Sequence, residues 1–425
     1  MNEAVAGGET AVLVHIDFRD AQFSEELDEF LQLAGSSGLQ RQVTLTGSRN
    51  LPGAKYFVGR GKVAEIRDQV AALHADVVIF NHALTPAQER NLEHECGCRV
   101  IDRVGLILDI FAQRARSYEG KLQVELAQLQ HLSTRLVRGW SHLERQKGGI
   151  GLRGPGETQL ETDRRLISKR IKSINSRLLK VKRRRQQGRR LRRRTATPVI
   201  SLIGYTNAGK STLFNRMTGA EAFVANKLFA TLDTTLRRVE IAPGKQAVLS
   251  DTVGFIRHIP HDLIDAFHAT LEEIREADLL LHVIDVNDEQ RHAHIEQVNA
   301  VIEEIGAAAV PQILVFNKLD RKPDMAARQE QSNGAIPRVW LSARTGEGIN
   351  ELYRVIDHCL APARRLYILR LPTTASKLRA ELFRTGEVYE EHLDDSGSWV
   401  MRVTIDSSSL QKLCRDYGID QTVLQ

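Results

Sequence analysis

The chain has 425 residues, with 59 Lys and Arg against 53 Asp and Glu, and a formal net charge of +6. This length allows about two to four domains with separate cores. No run of about 18 apolar residues and no signal-peptide pattern occurs, so we expect a cytoplasmic protein without a membrane span. The four cysteines include a single Cys-x-Cys pair with no second pair, which favours reduced thiols over a zinc site or disulfides.

Residues 1–115 alternate between strand and helix signals. "AVLVHIDF", "RQVTLTG" and "DVVIF" read as strands, and an amphipathic segment follows each of them. The third of these segments, "TPAQERNLEHE", begins with a Thr that can cap a helix. This β-α-β-α-β-α order predicts a small α/β domain.

In residues 116–196 the apolar residues recur with a different, helical period. Leucines recur every three or four residues from Leu122, and a second apolar stripe runs from Leu160 to Val181. Two amphipathic helices joined by a Gly/Pro loop predict an antiparallel helical hairpin. Between Arg164 and Arg194 there are sixteen Lys and Arg and no acidic residue, which indicates a polyanionic partner. The basic end, residues 180–194, has few apolar anchors, and we expect it to fray into a linker.

The loop between those helices, "GGIGLRGPGETQLETDRR", contains G-x-G-x-x-G spacing, which is typical of dinucleotide binding. That motif should follow a strand and precede an acidic residue by about 20 positions. Here a long helix precedes it and no acidic residue follows at that distance. We therefore interpret the loop as an RNA-facing hairpin tip, in which small residues allow close approach and cations supply phosphate affinity. Its candidate residues are Lys147, Gly149, Gly151, Arg153 and Gly154.

Residues 197–362 open with a phosphate-binding motif. "GYTNAGKS" follows the strand "PVISLI" and starts a helix, which is the setting that G-x-x-x-x-G-K-[ST] requires. Backbone N–H groups would cradle the phosphates, Lys210 would reach the β- and γ-phosphates, and the Ser211 hydroxyl would bind Mg²⁺. The predicted phosphate-binding residues are Gly204, Tyr205, Thr206, Asn207, Ala208, Gly209, Lys210 and Ser211.

Three further motifs follow strands in the same region. "LSDTVGF" predicts a switch II segment in which Asp251 holds Mg²⁺ through water and Gly254 meets the γ-phosphate; its residues are Asp251, Thr252, Val253, Gly254 and Phe255. "FNKLD" and "SAR" predict the guanine-binding residues Asn317, Lys318, Asp320, Ser342, Ala343 and Arg344. A carboxylate at Asp320 can accept the two adjacent N–H donors of guanine, which adenine lacks. Four motifs in this order predict a GTPase domain.

Two features of the switches bear on hydrolysis. "LFATLDTTLRR" offers Thr231, Thr234 and Thr235 as the switch I residue that binds Mg²⁺, and spacing alone does not choose among them. Phe255 stands where Ras-like enzymes place a Gln that orients the attacking water. Phe has no hydrogen-bonding group, so we expect slow intrinsic hydrolysis that a partner or a bound cation accelerates.

Residues 363–425 contain the strand "RLYILRLP", the helix "ASKLRAELF" and a hairpin with a turn at residues 394–397. This pattern predicts a small C-terminal α+β domain. Together with the preceding segments it predicts a multidomain α/β protein, in which the GTPase domain is a doubly wound, mostly parallel sheet.

The GTPase motifs, the glycine-rich hairpin tip and the α/β N-terminal segment together resemble the HflX-type GTPases of the Obg–HflX superfamily, in the TRAFAC class of P-loop GTPases. The resemblance implies a monomeric, ribosome-associated GTPase that binds the 50S subunit and its rRNA and splits stalled 70S ribosomes when GTP-bound. It also implies a switch I segment over Phe229, Ala230, Thr231, Leu232 and Asp233, with Thr231 as the Mg²⁺ ligand. Asn207 matches a position at which some related GTPases coordinate K⁺.

Two other functions fit parts of this pattern. A GTP-dependent RNA- or tRNA-modifying enzyme, or a large-subunit assembly factor, would share the nucleotide site. An RNA-binding module with a degenerate nucleotide site is disfavoured by the intact Lys210, Ser211, Asp251 and Asp320. Outside the GTPase region we find no catalytic constellation that would carry a modification reaction.

Overall fold

The structure is a computed structural model that describes residues 8–19, 23–138, 155–194, 197–219, 229, 231, 235–255, 268–330, 335–361, 364–394 and 396–417. Two compact units divide the chain between Ile356 and Asp357. Within the described ranges, no helix combines the length and apolarity needed to cross a bilayer. The finer division into four domains, ending at residues 115, 196, 362 and 425, stays a prediction.

The first unit begins with a four-stranded parallel sheet of order β2-β1-β3-β4. Its strands are β1 (Thr10–Asp17), β2 (Arg41–Ser48), β3 (Val77–Phe80) and β4 (Arg99–Ile101). The helices that accompany them are α1 (Phe23–Ser36), α2 (Arg60–Leu73), α3 (Pro86–Cys96) and α4 (Arg103–Arg114). The predicted cap on α3 is confirmed, because the Thr85 hydroxyl accepts the Gln88 N–H at 3.3 Å and the Gln88 side chain accepts the Thr85 N–H at 2.9 Å.

Two long helices follow, α5 (Tyr118–Arg138) and α6 (Pro155–Arg194). Their facing apolar side chains form a cluster of Leu122, Leu126, Leu129, Ile171, Ile174 and Leu178. Glu125 accepts a charge-assisted hydrogen bond from Arg170 at 2.6 Å beside that cluster. The glycine-rich tip between the two helices lies outside the described residues.

The expectation that residues 180–194 fray into a linker is wrong, because α6 continues without a break to Arg194. Lys, Arg, Gln and Leu are all good helix formers, and the single Gly188 costs only about 1 kcal/mol. The cationic segment is therefore part of one continuous helix that ends shortly before the next strand, β5.

The second sheet of this unit has seven strands in the order β10-β11-β9-β8-β5-β7-β6. Its strands are β5 (Val199–Ile203), β6 (Thr235–Ala242), β7 (Lys245–Asp251), β8 (Leu279–Asp285), β9 (Gln312–Asn317), β10 (Arg328–Glu330) and β11 (Arg338–Trp340). The edge strands β6 and β10 are antiparallel to their neighbours, and the inner pairs are parallel. The helices are α7 (Lys210–Thr218), α8 (His268–Arg275), α9 (Arg291–Glu304) and α10 (Ile349–Leu360).

The central strands of this sheet are almost fully buried, as expected for parallel strands covered by helices on both faces. All four predicted GTPase motifs follow the carboxyl ends of such strands, at β5, β7, β9 and β11. Because these ends meet at one edge of the sheet, the fold brings the four loops together.

The second unit is a three-stranded antiparallel sheet of order β12-β14-β13 with two helices packed on it. Its elements are β12 (Arg364–Leu371), α11 (Ser376–Thr385), β13 (Glu387–Leu393), β14 (Trp399–Asp406) and α12 (Ser407–Asp416). The predicted hairpin is confirmed, with Asp394 N–H donating to Ser398 O at 2.9 Å. The sequence analysis did not anticipate α12.

Candidate nucleotide-binding site

The loop between β5 and α7 depends on its glycines. Gly204 has φ 139°, and a Cβ there would lie 2.2 Å from Val283 O on β8. Gly209 has φ 98°, and a Cβ there would lie 2.2 Å from Asn317 Nδ2. Both contacts are far inside van der Waals distance, so only glycine allows the loop to pack against β8 and the loop that follows β9.

Lys210 is buried at the start of α7, with 6% of its surface exposed. Its ammonium donates to Gly204 O at 3.0 Å and to Tyr205 O at 2.7 Å, which holds it inside the loop. Burial lowers the Lys210 pKa to about 8, although the nearby Asp251 carboxylate opposes the shift. An ammonium that is so poorly solvated gains strongly from a phosphate brought next to it.

Three oxygen-bearing side chains predicted to hold Mg²⁺ lie together. The Thr231 hydroxyl is 2.8 Å from Ser211 Oγ and 2.9 Å from Asp251 Oδ2, and the Ser211 hydroxyl donates to the same carboxylate oxygen at 2.8 Å. Asp251 is 2% exposed, and its Oδ1 is buried without a hydrogen-bond partner in the described part of the chain. Burial raises the Asp251 pKa, against the effect of these hydrogen bonds.

This oxygen cluster fits a hard divalent cation, since Mg²⁺ prefers hydroxyl, carboxylate and water ligands. A cation would also stabilise the charged form of the buried carboxylate. Thr235 lies on β6 opposite Asp251 in the strand register, but it is Thr231 whose hydroxyl reaches the cluster. Thr234, Ala230, Leu232 and Asp233 lie outside the described residues.

The start of switch II is hydrogen-bonded to the phosphate loop. The Phe255 N–H donates to Gly204 O at 3.2 Å, and the Thr206 N–H donates to Phe255 O at 2.8 Å. Gly254 lies so close that a Cβ would sit 2.7 Å from Thr206 Cγ2. A ligand that moves the phosphate loop must therefore also move the start of the predicted switch II segment, and the reverse holds as well.

The two guanine-loop motifs also meet. Asn317 donates to Ala208 O at 2.9 Å and accepts the Ala343 N–H at 2.9 Å, so one amide joins the phosphate loop to both guanine loops. Lys318 has φ 67° and pairs with Asp285 at 2.7 Å.

Asp320 is held in place by two neighbours. The Ser342 hydroxyl donates to Oδ1 at 2.6 Å, and Arg344 pairs with Oδ2 at 2.5 Å. The Ser342 hydrogen bond, with a further effect of Arg344, lowers the Asp320 pKa, while partial burial opposes it. The carboxylate is therefore ionised and oriented, as recognition of paired N–H donors requires.

The sequence analysis missed two polar residues at the carboxyl end of β8, Asp285 and Asn287. Asp285 accepts from the Asn287 N–H at 2.9 Å, and Asn287 also donates to Lys318 O at 3.3 Å. Together they support the backbone of the guanine loop. An Asp at the end of the buried strand "LLLHVID" and an Asn two residues later were the available signal.

The candidate nucleotide site contacts the N-terminal helices α1 and α4. Phe229, in the predicted switch I segment, packs edge-on against Phe111 of α4, with ring centroids 4.7 Å apart. The Tyr205 hydroxyl of the phosphate loop donates to Glu29 of α1. Phe255 is 4% exposed and belongs to the same apolar cluster as Phe111 and Phe229. Residues of both predicted switch segments thus pack against elements outside the GTPase sheet.

Comparison with known proteins agrees with this geometry. Residues 24–112 match the family model "GTP-binding GTPase N-terminal", residues 114–192 match "GTP-binding GTPase Middle Region", and residues 199–318 match "50S ribosome-binding GTPase". GTPase HflX of Escherichia coli K12 is 55% identical over 409 residues, which is 96% of each chain. The chain belongs to the HflX family of GTPases. GTPase HflX of Caldanaerobacter subterraneus is 42% identical over 93% of this chain and 91% of its own.

Membership in the HflX family fixes the basic activity. The chain binds GTP and hydrolyses it to GDP and phosphate. P-loop GTPases generally work with Mg²⁺, in line with the oxygen cluster at Ser211, Thr231 and Asp251. The predicted RNA-facing residues of the hairpin tip, Lys147 to Gly154, lie outside the described residues.

Proposed function

We propose that this HflX-family protein is a GTP-controlled ribosome factor that binds the large subunit and, with GTP bound, splits or recycles stalled 70S ribosomes. The observation that carries the proposal is a continuous cationic helix, α6, that directly precedes the first strand of the GTPase sheet. The family model matched by residues 199–318 is described as a 50S ribosome-binding GTPase, which supports the same partner.

The cationic surface lies on α6. The exposed Lys and Arg of its described side chains are Arg164, Arg165, Lys169, Arg170, Lys172, Arg177, Lys180, Arg183 and Arg184. A row of cations on a single helix suits the phosphates of folded RNA, whose attraction is largely independent of base sequence. Ribosomal RNA is therefore the polyanion that we assign to this helix.

Nucleotide state can reach the RNA-binding elements through several contacts. Lys182 of α6 forms an ion pair with the buried Glu272 of α8. Phe229 of switch I packs on Phe111, which precedes the hairpin helix α5. In P-loop GTPases the γ-phosphate orders the switches. Ordering of Phe229 and Phe255 would then change the positions of α4 and α6. This change in position would alter the affinity for the ribosome.

Within the site we assign Mg²⁺ to Ser211 and Thr231 directly, and to Asp251 through water. When bound, the ion would neutralise charge on the β- and γ-phosphates. Lys210 would bind the same phosphates, Asn317 would hold the guanine loops against the phosphate loop, and Asp320 would select guanine. The Phe255 side chain supplies apolar anchorage and has no hydrogen-bonding group, so the attacking water must be oriented by another group.

A bound monovalent cation is one such group, and Asn207 is its proposed ligand. We expect kcat for GTP to be roughly tenfold higher in K⁺ than in Na⁺, a difference of about 1.4 kcal/mol in barrier height. Asn207 has φ 61°, so Asn207→Gly removes the side chain without backbone strain and should erase the difference. Steady-state phosphate release at matched ionic strength measures it. Equal rates of the unaltered protein in the two salts would refute the assignment.

The hairpin tip is the proposed ribosome-contacting probe. We expect Arg153→Ala to weaken ribosome splitting severalfold while leaving GTP affinity unchanged, because we assign the tip to RNA and not to the nucleotide. Arg67→Ala, which removes a half-exposed Arg from α2, is the matched control and should retain splitting. A loss of GTP affinity in Arg153→Ala would show that the tip serves the nucleotide instead.

Light scattering of 70S ribosomes tests the function as a whole. The protein with a non-hydrolysable GTP analogue should lower the scattering as subunits separate, and the protein with GDP should not. Co-sedimentation with 50S subunits should likewise require the analogue. If binding were the same with GDP and with the analogue, the chain would be an RNA-binding module rather than a switch. If binding occurred without splitting, a role in subunit assembly or RNA modification would be favoured.

A further inference from the structure

The side chain of Tyr205, the second residue of the phosphate-loop motif, contacts segments outside that loop. Its hydroxyl donates to Oε2 of Glu29 on α1, 176 residues earlier in the chain. Its ring stacks on His294 of α9, with ring centroids 4.0 Å apart. His294 is held in turn by Asp288, whose carboxylate lies 2.5 Å from the ring nitrogen Nδ1. The Tyr205 side chain is therefore fixed by residues that do not belong to the phosphate loop.

Glu29 is itself connected to the N-terminal sheet. Its Oε1 accepts a hydrogen bond from Arg103 at the start of α4. Arg103 also donates to Asn81 Oδ1 at 2.7 Å, directly after β3. The amide nitrogen of Asn81 lies 3.1 Å from Nδ1 of His15 on β1. A continuous chain of polar contacts thus runs from the strands of the N-terminal sheet to the Tyr205 hydroxyl.

The ion pair in the middle of this chain is shielded from solvent. The side chains of Arg103 and Glu29 are only 9% and 12% exposed. Salt screens such a pair weakly, and a hydrogen bond to an ionised acceptor is stronger than one between neutral groups. The Glu29 carboxylate therefore presents Oε2 to Tyr205 from a well-defined position.

The backbone of Tyr205 links the chain to the phosphate-binding groups. The Tyr205 carbonyl oxygen accepts the Lys210 ammonium at 2.7 Å. The next residue, Thr206, donates its N–H to Phe255 O at 2.8 Å. A contact that fixes Tyr205 therefore also fixes an acceptor of the buried Lys210 and the start of the predicted switch II segment.

We propose that Glu29 is a positioning residue for the phosphate loop: it holds Tyr205, and with it Lys210, in the arrangement that binds the phosphates of GTP and GDP. A loop that is already held in its binding conformation loses less conformational freedom when the nucleotide binds, so its affinity is higher. The inference rests on the proposed assignment of this loop to the phosphates. It is independent of ribosome binding.

Electrostatics alone predicts the opposite effect of neutralising Glu29. Removal of a negative charge close to a site for phosphates should strengthen nucleotide binding. If Glu29 acts by positioning, Glu29→Gln should weaken binding instead, because a neutral amide oxygen is a poorer acceptor for the hydroxyl of Tyr205 and a poorer partner for Arg103. The direction of the change therefore separates the two roles.

The test is the affinity of the full chain for GDP, measured by competition against a fluorescent guanine nucleotide. We expect Tyr205→Phe and Glu29→Gln each to weaken GDP binding by roughly threefold to tenfold, the range for the loss of one hydrogen bond. The double variant should be no weaker than Tyr205→Phe alone, because both changes affect the same contact. KM for GTP should rise by the same factor as Kd for GDP, with a smaller change in kcat.

Two variants control for the chemical changes. Asp28→Asn neutralises the adjacent, exposed carboxylate on α1. Tyr353→Phe removes a hydroxyl that donates to Met217 O at 3.3 Å, near the end of α7 that is distant from the phosphate loop. Both should bind GDP no more weakly than the unaltered chain. Thermal unfolding of every variant shows whether it is folded.

Four results would overturn the positioning role of Glu29. They are unchanged or tighter GDP binding in Glu29→Gln, additive losses in the double variant, an equal loss in Asp28→Asn, and a lower melting temperature without a change in GDP affinity. Lys210→Ala tests the underlying assignment and should lose at least tenfold in GDP affinity, about 1.4 kcal/mol. If it does not, the assignment of the loop fails and the positioning role fails with it. If Lys210→Ala loses affinity and Glu29→Gln does not, only the positioning role is refuted.

Discussion

Asp320→Asn is expected to lower affinity for GTP by roughly 30- to 5000-fold and to raise affinity for xanthosine triphosphate. The Asp320 carboxylate is oriented by Ser342 at 2.6 Å and Arg344 at 2.5 Å, so it presents fixed acceptors. Loss of one partner of an oriented, charge-assisted pair costs about 2–5 kcal/mol, which sets the range for GTP. Xanthine carries a carbonyl oxygen where guanine carries its amino group, and an Asn amide can donate to that oxygen while accepting from the neighbouring N–H.

The measurement is competition of GTP, XTP and ATP against a fluorescent guanine nucleotide, followed by hydrolysis with each triphosphate. Asp324→Asn is the matched control, because Asp324 is an exposed carboxylate four residues along the same loop. Equal affinities of the Asp320 variant and the unaltered protein for GTP would contradict the assignment of the guanine-binding carboxylate. A loss for all three nucleotides together would indicate that the loop itself is disturbed.

The individual loops of this site could be predicted from the sequence because the residue types and spacing of each motif imply the conformation of its loop. The glycines of "GYTNAGKS" mark positions where a Cβ would meet Val283 O or Asn317 Nδ2. The strand before each motif places its loop at the same edge of a parallel sheet. Asn317 ends β9 and Asp320 lies three residues further on, so their roles could be predicted before any contact was known.

Contacts between distant segments could not be predicted in this way. Glu29 and Tyr205 are 176 residues apart, and neither residue type signals the other. The packing of Phe229 on Phe111 likewise depends on how the two sheets of the first unit meet, which no local pattern encodes.

Short or polar elements were missed for a different reason. β4 has three residues, too few to show a period, and α12 begins with three serines that resemble a loop. Conversely, composition suggested that the end of α6 would fray, although Lys and Arg are good helix formers and the helix persists to Arg194. High charge density was thus a poor guide to the local structure of this segment.

Thr231→Ala is expected to weaken the apparent affinity for Mg²⁺ in the GTP complex by roughly 10–100-fold and to slow hydrolysis at limiting Mg²⁺. The Thr231 hydroxyl lies 2.8 Å from Ser211 Oγ and 2.9 Å from the buried Asp251 carboxylate, so its removal takes one oxygen from the proposed metal site. Binding of GDP should change little, because switch I acts through the γ-phosphate. The effect is measured by titrating Mg²⁺ and following phosphate release. One series has GTP in excess over the protein, and the other has the protein in excess over GTP.

The other switch I threonines provide the controls. Thr235 lies on β6 opposite Asp251. Thr235→Ala leaves the oxygen cluster of Ser211, Thr231 and Asp251 intact, so we expect the Mg²⁺ dependence of this variant to match that of the unaltered protein. Thr231→Ser restores a hydroxyl at the same position and should recover most of the affinity, which a purely steric role of Thr231 would not predict. If Thr234→Ala or Thr235→Ala shows the magnesium defect and Thr231→Ala does not, the metal ligand has been assigned to the wrong threonine. The proximity of Thr231 to Asp251 would then reflect packing of switch I rather than coordination.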